Sequence, residues 1–183
     1  MISRLVGLVI FVVLSPIFII LYIIILYFDR FPVLYRQKRI GKDNTLFWMY
    51  KFRSMKNNIP DIPTDKIKDS SGLLTTCGPM LRKFSLDEIP QLVNIIKGDM
   101  VFIGPRPALH NQDNLINLRT RVGVDTLYPG ITGWAQVNGR DEISITRKVE
   151  LDQYYLENRS VKLDVRILFL TIIKVIGMND VSH

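Results

Sequence analysis

Hydrophobic residues are concentrated at the N terminus, where the run from Leu5 to Phe28 contains no charged residue. Charged residues close the run on both sides, with Arg4 before it and Asp29 and Arg30 after it. At about 1.5 Å per residue, a helix of this length reaches across the ~30 Å hydrocarbon core of a bilayer. The run is too long for the apolar region of a signal peptide, and no small-residue cleavage site follows it. The pattern therefore predicts a membrane helix that stays in the mature protein.

Two topologies remain open for this helix. Ser15-Pro16 lies near its middle, and a proline there removes one helical hydrogen bond and kinks the helix. The Ser15 hydroxyl can bond a backbone carbonyl that the proline leaves without a donor. Lysine and arginine prefer the cytoplasm, and they flank both ends of the helix: Arg4 before it, then Arg30, Arg36, Lys38 and Arg39. The helix either spans the membrane or is re-entrant, bending at Ser15-Pro16 and returning to the same side.

Short β-leaning segments follow the membrane helix. Phe31 to Gln37 and Thr45 to Phe52 are rich in aromatic and β-branched residues, and Gly41 to Asn44 reads as a turn between them. This pattern predicts a small β-hairpin. Asn57 to Gly72 carries two prolines and alternating charges, which favours a surface loop.

The rest of the chain is mostly periodic at helical spacing. Helices are predicted at Leu86–Ile96 (closed by Gly98), Asp113–Val122, Ser144–Asn158 and Val161–Ile176, and 128–140 is predicted to be rich in turns. The helix at Ser144 is amphipathic, and the last helix is mostly apolar, so it is expected to be buried or to lie at the membrane interface. The predicted fold is α+β and mostly helical, with residues 1–29 as the membrane helix and 30–183 as one further domain.

The positive charge of the chain lies beside its most hydrophobic segment. The formal net charge is +7, and the nine basic residues up to Lys56 are opposed only by Asp29 and Asp43. Anionic lipids attract such juxtamembrane charge by about 1 kcal/mol per residue near the surface. Nucleic acid is the competing partner, but it calls for a basic stripe with interleaved aromatic residues. The distribution favours a membrane surface and no nucleic acid.

The counts of cysteine and histidine limit the chemistry. Cys77 is the only cysteine and His110 and His183 are the only histidines, which excludes an internal disulfide and any zinc site rich in Cys or His. Catalysis would therefore depend on carboxylates, cationic side chains and an oxygen-bound metal ion.

Asp87 and Glu88 form an adjacent carboxylate pair that has two interpretations. In the first, Ser85 and Glu88 form a capping box at a helix N terminus, where acidic residues complement the helix dipole. In the second, one carboxylate attacks phosphorus to make an acyl phosphate, and the other holds a divalent cation such as Mg²⁺. The pattern alone leaves both open.

Arg106 lies between two prolines in the stretch Gly104-Pro105-Arg106-Pro107. Two fixed φ angles restrict the backbone around this arginine, whose rigid fork of donors suits phosphate. The alternative is a loop bounded by prolines with a solvated arginine.

Lys51 and Arg53 belong to a further basic motif, Lys51-Phe52-Arg53-Ser54-Met55. Strand alternation puts both cations on one face and Phe52 on the other. The alternative is an interfacial strand whose cations reach lipid headgroups. Arg82 and Lys83 add positive charge just before the carboxylate pair.

These signals are more specific together than separately. A membrane-embedded end, a carboxylate pair and several aimed cations suit an anionic, diphosphate-bearing substrate beside a lipid. The sequence has no nucleophile elbow, no glycine-rich P-loop and no dinucleotide fingerprint.

At this point the sequence resembles the small monotopic phosphoglycosyl transferases, also called bacterial sugar transferases, over nearly the whole chain. The resemblance rests on the apolar segment with Ser15-Pro16 and on a series of ordered motifs: Arg36-Gln37-Lys38-Arg39-Ile40-Gly41, Lys51 to Met55, Leu81 to Leu92, Gly98-Asp99-Met100, Gly104 to Pro107, Pro129 to Arg140, and Asp152 with Tyr154 and Tyr155.

The resemblance implies an enzyme that moves a sugar 1-phosphate from a UDP-sugar to polyprenyl (undecaprenyl) phosphate and releases UMP. Asp87 would be the nucleophile that forms a covalent phosphosugar intermediate, and Glu88 would bind Mg²⁺. Arg82, Arg106 and Arg140 would contact phosphates or the nucleotide. The substrate-binding residues are then expected among Lys51, Arg53, Arg82, Pro105, Arg106, Pro107, Gln136, Asn138 and Arg140.

The same resemblance implies a location and a topology. The apolar helix would be re-entrant, and residues 30–183 would form a catalytic domain on the cytoplasmic face of the bacterial inner membrane, where UDP-sugars are made. The stretch from Arg106 to Gln112 is similar to that of members acting on N-acetylated 6-deoxy sugars. A homodimer is a further possibility. The alternative function is a catalytically silent membrane scaffold of a glycan-assembly complex that retains the fold.

Overall fold

The structure is a computed structural model that describes residues 2–57, 71–139 and 143–177. In chain order its helices and strands are α1 (Ile2–Asp29), β1 (Leu34–Ile40), β2 (Leu46–Phe52), α2 (Gly78–Lys83), α3 (Gln91–Lys97), β3 (Val101–Ile103), α4 (Asp113–Arg121), β4 (Gly130–Thr132), α5 (Trp134–Val137), α6 (Ile145–Asn158) and α7 (Val161–Gly177). The described residues are mostly helical, with two small two-stranded sheets, which confirms the predicted mostly helical α+β class. Most of the loop predicted at 57–72 lies outside the described residues.

Helix α1 is long and apolar enough to cross a membrane, and it contains Pro16. Ser15 Oγ donates a hydrogen bond of 2.7 Å to the carbonyl oxygen of Val12. Val12 is the residue whose carbonyl would accept from position 16 in a regular helix, and proline has no N–H to give. The hydroxyl thus compensates for the proline as the sequence predicts. The bend at Ser15-Pro16 and the re-entrant path stay predictions.

One side of α1 packs along the rest of the protein. Near its N-terminal end Gly7 lies close to Ile95 of α3, and further along Ile10, Phe11 and Leu14 pack on a cluster around Leu92 and Met100. Towards its C-terminal end Leu21 and Ile25 are buried in a second cluster that also contains Val33, Phe52, Cys77 and Leu81. The opposite side of α1 exposes large aliphatic residues.

Both ends of α1 contact the domain that follows it. At the start, the Arg4 guanidinium lies directly against Gly98, the residue that ends α3. At the end, the Asp29 carboxylate accepts hydrogen bonds from the backbone N–H groups of Thr76 (2.7 Å) and Cys77 (3.1 Å). The helix is therefore fastened to the domain along its length and does not project from it.

The predicted hairpin is confirmed. Strands β1 and β2 pair antiparallel from Leu34 opposite Phe52 to Ile40 opposite Leu46. A short 3-10 turn, Lys42–Asn44, joins them. The hairpin is held to α3 by Asn94, which is buried and bonds the backbone of Trp48 and Tyr50 in β2.

Three predicted helices are found close to their expected bounds. α4 and α7 match, and α6 begins at Ile145 with Ser144 as its cap, whose hydroxyl accepts from the N–H of Arg147 at 3.2 Å. The helix predicted at Leu86–Ile96 is shorter, because Pro90 cannot donate and α3 starts only at Gln91. Gly98 ends α3 in the left-handed conformation (φ 91°), as predicted.

The region predicted as turn-rich also contains regular structure. β4 pairs parallel with β3, with Val101 opposite Gly130 and Ile103 opposite Thr132, and α5 follows directly. Three glycines make this close approach possible, because a side chain at Gly104, Gly130 or Gly133 would overlap the backbone of the neighbouring segment. This sheet was not predicted from the sequence.

Candidate active site

The carboxylate pair lies on a short 3-10 turn, Leu86–Glu88, between α2 and α3. Ser85 precedes the turn in the left-handed conformation (φ 53°, ψ 25°), and its side chain makes no capping hydrogen bond. The capping-box interpretation of Ser85 and Glu88 is therefore wrong. A helix cap needs an extended backbone at the capping residue, and here the chain instead turns sharply so that Asp87 points inward.

Cations from separate parts of the chain lie beside these carboxylates. Lys51 of β2 places its Nζ 2.9 Å from Glu88 Oε1 and 3.7 Å from Asp87 Oδ2. Arg106, in the loop after β3, places Nη1 3.4 Å from the same Glu88 oxygen. Lys51, Asp87, Glu88 and Arg106, singled out separately in the sequence, thus form one cluster.

Burial dominates the electrostatics of Asp87, which is only 7% exposed. Loss of hydration raises the pKa of its carboxyl above the ordinary value of 3.8, and the neighbouring Glu88 charge acts in the same direction. Lys51, Arg82 and Arg106 act against this and lower the pKa of Asp87. The surrounding cations therefore offset part of the cost of burying the charge of Asp87, and burial remains the larger effect.

Arg82 and the Arg106 loop are held by local contacts. Arg82 is in the last turn of α2 and donates through Nε to Ser54 Oγ at 3.2 Å. Pro105 and Pro107 on either side of Arg106 are buried, whereas Arg106 itself is partly exposed. The two prolines thus fix the loop while the guanidinium extends towards Glu88.

Arg53 is not brought to this cluster. Its guanidinium lies at the C-terminal end of α1, where it donates to the carbonyl oxygens of Asp29 and Arg30 and to Asn57 Oδ1. Carbonyls at the end of a helix lack partners within it, so Arg53 caps α1 in this structure. Strand alternation does not extend to Arg53, because β2 ends at Phe52.

The remaining predicted site residues have different surroundings. Asn138 is exposed and donates to the carbonyl of Trp134, which closes α5. Gln136 is buried, and among the described residues neither Nε2 nor Oε1 of its amide has a hydrogen-bond partner. Arg140 lies outside the described residues.

The cluster opens into a cleft of about 230 Å³. The cleft lies between α1, α3, β4 and α7, and its walls are mainly aliphatic, with Ile10 and Leu14 from α1 and Ile89, Leu92 and Ile131 on the other sides. Its polar groups include Glu88, Arg106, Gln136 and Lys174. Arg119 of α4 forms a buried ion pair with Asp152 of α6 and donates to the carbonyl oxygen of Arg106. The sequence assigns neither this pair nor Lys174 a role in the site, because nothing in the linear pattern relates them to Asp87.

A divalent cation would have few protein ligands here. No group of three or more His, Cys, Asp or Glu side chains suitable for a metal occurs in 2–57, 71–139 and 143–177. Asp87 and Glu88 supply carboxylate oxygens of the type that Mg²⁺ prefers, and Mg²⁺ commonly completes its shell with substrate phosphates and water. The residues present thus fit a metal that binds together with a phosphorylated substrate.

Asp87 and Glu88 thus lie beside several cations and next to an aliphatic cleft walled in part by the apolar helix α1. The family described as bacterial sugar transferase matches residues 1–178 of the chain. The chain belongs to this family, as the resemblance of its motifs predicts.

The chain is also similar to several named proteins. The chain is 40% identical over 158 residues to the sugar transferase EpsL of Bacillus subtilis, which covers 83% of this chain and 75% of that protein. It is 38% identical over 150 residues to the UDP-glucose:undecaprenyl-phosphate glucose-1-phosphate transferase of Escherichia coli, covering 78% of this chain and 32% of the relative. It is 40% identical over 149 residues to the UDP-N-acetylgalactosamine-undecaprenyl-phosphate N-acetylgalactosaminephosphotransferase of Aeromonas hydrophila, covering 77% and 34%. The chain spans about a third of the length of the last two.

Proposed function

We propose that the protein transfers a sugar 1-phosphate from a UDP-sugar to undecaprenyl phosphate or a similar polyprenyl phosphate and releases UMP. The observation that carries the proposal is the buried Asp87 next to Glu88, with Lys51 and Arg106 within reach of the carboxylates. The names of the relatives from Escherichia coli and Aeromonas hydrophila support undecaprenyl phosphate as the acceptor.

The transfer proceeds in two steps at one phosphorus atom. First, an Asp87 oxygen attacks the phosphorus that carries the sugar, and the bond from this phosphorus to the bridging oxygen breaks. UMP leaves with that oxygen and with the electron pair. A phosphate oxygen of the acceptor then attacks the same phosphorus and expels the Asp87 carboxylate, which yields the polyprenyl-diphosphate-sugar.

The cations of the site make the first step possible. An anionic carboxylate can approach an anionic diphosphate only when positive charge offsets the repulsion, and preorganised charges in a desolvated site do this most effectively. Lys51, Arg82 and Arg106 all act electrostatically on Asp87, which supports this role for them. Glu88 would hold Mg²⁺ together with the donor diphosphate, where the charge of the ion would add to that of the side chains.

We further propose that α1 is re-entrant, with both ends on the cytoplasmic face of the inner membrane. The contact of Arg4 with Gly98 at one end, and of Asp29 with Thr76 and Cys77 at the other, supports this topology. A spanning helix would carry Arg4 about 30 Å away to the opposite side.

Cysteine labelling tests the topology. In a Cys77→Ser background, Ser3→Cys should resist a membrane-impermeant maleimide in intact cells and react after permeabilisation. Glu157→Cys, on the exposed side of α6, should behave in the same way. Labelling of Ser3→Cys from outside, with Glu157→Cys still protected, would contradict the re-entrant helix and leave a spanning one.

Release of UMP tests the reaction. Purified protein in detergent is incubated with Mg²⁺, polyprenyl phosphate and a panel of UDP-sugars that includes N-acetylated 6-deoxy hexoses. We expect release with a subset of the donors, loss of release with a chelator, and loss in Asp87→Asn but not in Asp113→Asn, an exposed aspartate of α4.

Intact-mass detection of a phosphosugar adduct on wild type, and not on Asp87→Asn, would identify Asp87 as the nucleophile. If folded protein releases no UMP and forms no adduct with any donor, the transferase proposal fails and the scaffold alternative is favoured.

A further inference from the structure

The cleft beside Glu88 is lined mainly by aliphatic side chains, as a lipid-binding site is and a nucleotide-binding site is not. Its walls bring together aliphatic residues of α1, α3 and β4, with Val175 from α7. A uridine diphosphate sugar carries polar groups along its whole length and would leave them without partners against such walls. An isoprenoid chain has none to lose.

Helix α1 presents apolar residues both to the cleft and to the outer surface of the protein. Ile10 and Leu14 line the cleft from α1, and their neighbours Val9 and Val13 are 62% and 68% exposed on the other side of that helix. A chain that leaves the cleft past α1 would therefore stay in apolar surroundings.

Two polar groups in the cleft have no role in the donor chemistry described above. Thr171, Lys174 and Val175 are spaced three and four residues apart on α7, so this face of the helix presents a lysine to the cleft. Gln136 also lines the cleft, and within the described part of the chain its buried amide has no hydrogen-bond partner. A buried amide without a partner is costly, which points to a ligand that completes it.

We infer that Lys174 and Gln136 bind the phosphate of the lipid acceptor, with its isoprenoid chain along the aliphatic walls of the cleft. The inference rests on the proposed function and separates two subsites. Lys51 and Arg82 serve the donor diphosphate, and Lys174 and Gln136 serve the phosphate of the acceptor, which attacks the phosphorus from the face that UMP leaves. Arg106 lines the cleft and also reaches Glu88, so it contacts both.

The two half-reactions test this assignment separately. Formation of the Asp87 adduct is followed by intact mass and by the burst of UMP without acceptor. Discharge of the adduct is followed after adding polyprenyl phosphate in detergent micelles. We expect Lys174→Ala to form the adduct at the wild-type rate and to need about tenfold more acceptor for discharge, the effect of losing one charge-assisted hydrogen bond.

Further variants keep the interpretation specific. Lys174→Arg should restore most of the acceptor affinity, and Gln136→Leu should weaken it with adduct formation unchanged. Lys162→Ala removes a charge from the exposed first turn of the same helix, outside the cleft, and should leave both half-reactions unchanged.

The outcomes separate the inference from the proposed function. Wild-type discharge in Lys174→Ala and Gln136→Leu, or an equal slowing of adduct formation and discharge, would overturn the acceptor subsite while leaving the transferase in place. An equal loss in Lys162→Ala would mean general attraction to an anionic micelle and would also overturn it. Absence of any adduct on wild type would overturn the proposed function and the subsite with it.

Discussion

Arg119 holds the backbone of Arg106 from inside the domain, with Nη1 donating to the Arg106 carbonyl oxygen at 2.8 Å. Its Nε and Nη2 donate to Asp152 Oδ2 at 3.0 and 2.6 Å, and both side chains are buried. Arg106 in turn extends its own guanidinium to Glu88. A buried ion pair between α4 and α6 thus supports the loop that carries a cation of the site.

Loss of Asp152 should therefore destabilise the fold and weaken turnover together. Asp152→Ala leaves Arg119 buried without its partner, which typically costs about 3–5 kcal/mol. Chemical denaturation in detergent, followed by circular dichroism, measures this change. Glu150→Ala on the same helix breaks the exposed pair with Arg147 and should cost no more than about 0.5 kcal/mol. Equal stability of Asp152→Ala and wild type would contradict the supporting role.

Asp87 should lower the stability of the protein at neutral pH. Its pKa is raised in the folded state, so the native protein binds the proton more tightly than the unfolded chain does. Stability then falls as the pH rises from near 3.8 through the folded pKa, by about 1.4 kcal/mol for each unit of the difference.

Asp87→Asn removes this cost, so it should be more stable than wild type at pH 7 to 8. The difference should shrink as the pH is lowered. Unfolding midpoints across this range measure it, with the exposed Glu157→Gln as the control that stays flat. A wild type more stable than Asp87→Asn at pH 8 would show that the cations outweigh burial.

Gly133 should tolerate no side chain. A methyl group there would overlap the Gly104 carbonyl oxygen and come within 2.7 Å of Gln136 Oε1. We expect Gly133→Ala to cost about 1–3 kcal/mol, as overpacking commonly does, and to impair turnover because Gln136 is displaced. Gly72→Ala, which meets nothing within 4 Å, is the matched control and should be neutral. Thermal unfolding of the two variants in one detergent makes the comparison, and similar midpoints would argue against the close packing of β3 and β4.

The left-handed backbone of Ser85 should determine how substitutions there change the free energy of unfolding. This conformation costs a non-glycine residue about 1–2 kcal/mol. Glycine adopts it without strain, and the extra backbone entropy that glycine loses on folding costs less, about 0.5–1 kcal/mol. Ser85→Gly should therefore equal or exceed wild type in unfolding free energy, and Ser85→Val should lose at least about 1 kcal/mol because branching at Cβ disfavours this region. The reverse order would mean that the Ser85 side chain stabilises the turn.

The features that the sequence predicts correctly have a pattern in neighbouring residues. The hairpin follows from a turn between two β-rich segments, and α6 from a serine cap before an amphipathic run. Pro16 and Ser15 are neighbours, so their compensation is also visible in the sequence. The grouping of Asp87, Glu88 and Arg106 came from residue types and from resemblance to a family, and the structure adds the contacts between them.

Other features have no local signal. Strands of three residues, such as β3 and β4, are too short for a periodic pattern, and their pairing depends on close backbone contact. The Arg119–Asp152 pair joins residues far apart in the chain. Serine is a common capping residue and is not typical of a left-handed backbone, so the sequence of this stretch favours a capping box.

The packing of α1 has a consequence for how this protein can be engineered. Anchors of many membrane enzymes are separate modules that can be trimmed to obtain a soluble fragment. Here Leu21 and Ile25 belong to the hydrophobic core and Ile10 and Leu14 to the cleft beside Glu88, so truncation would remove part of both. A water-soluble version would have to keep the helix and replace only its outward valines and isoleucines with polar residues.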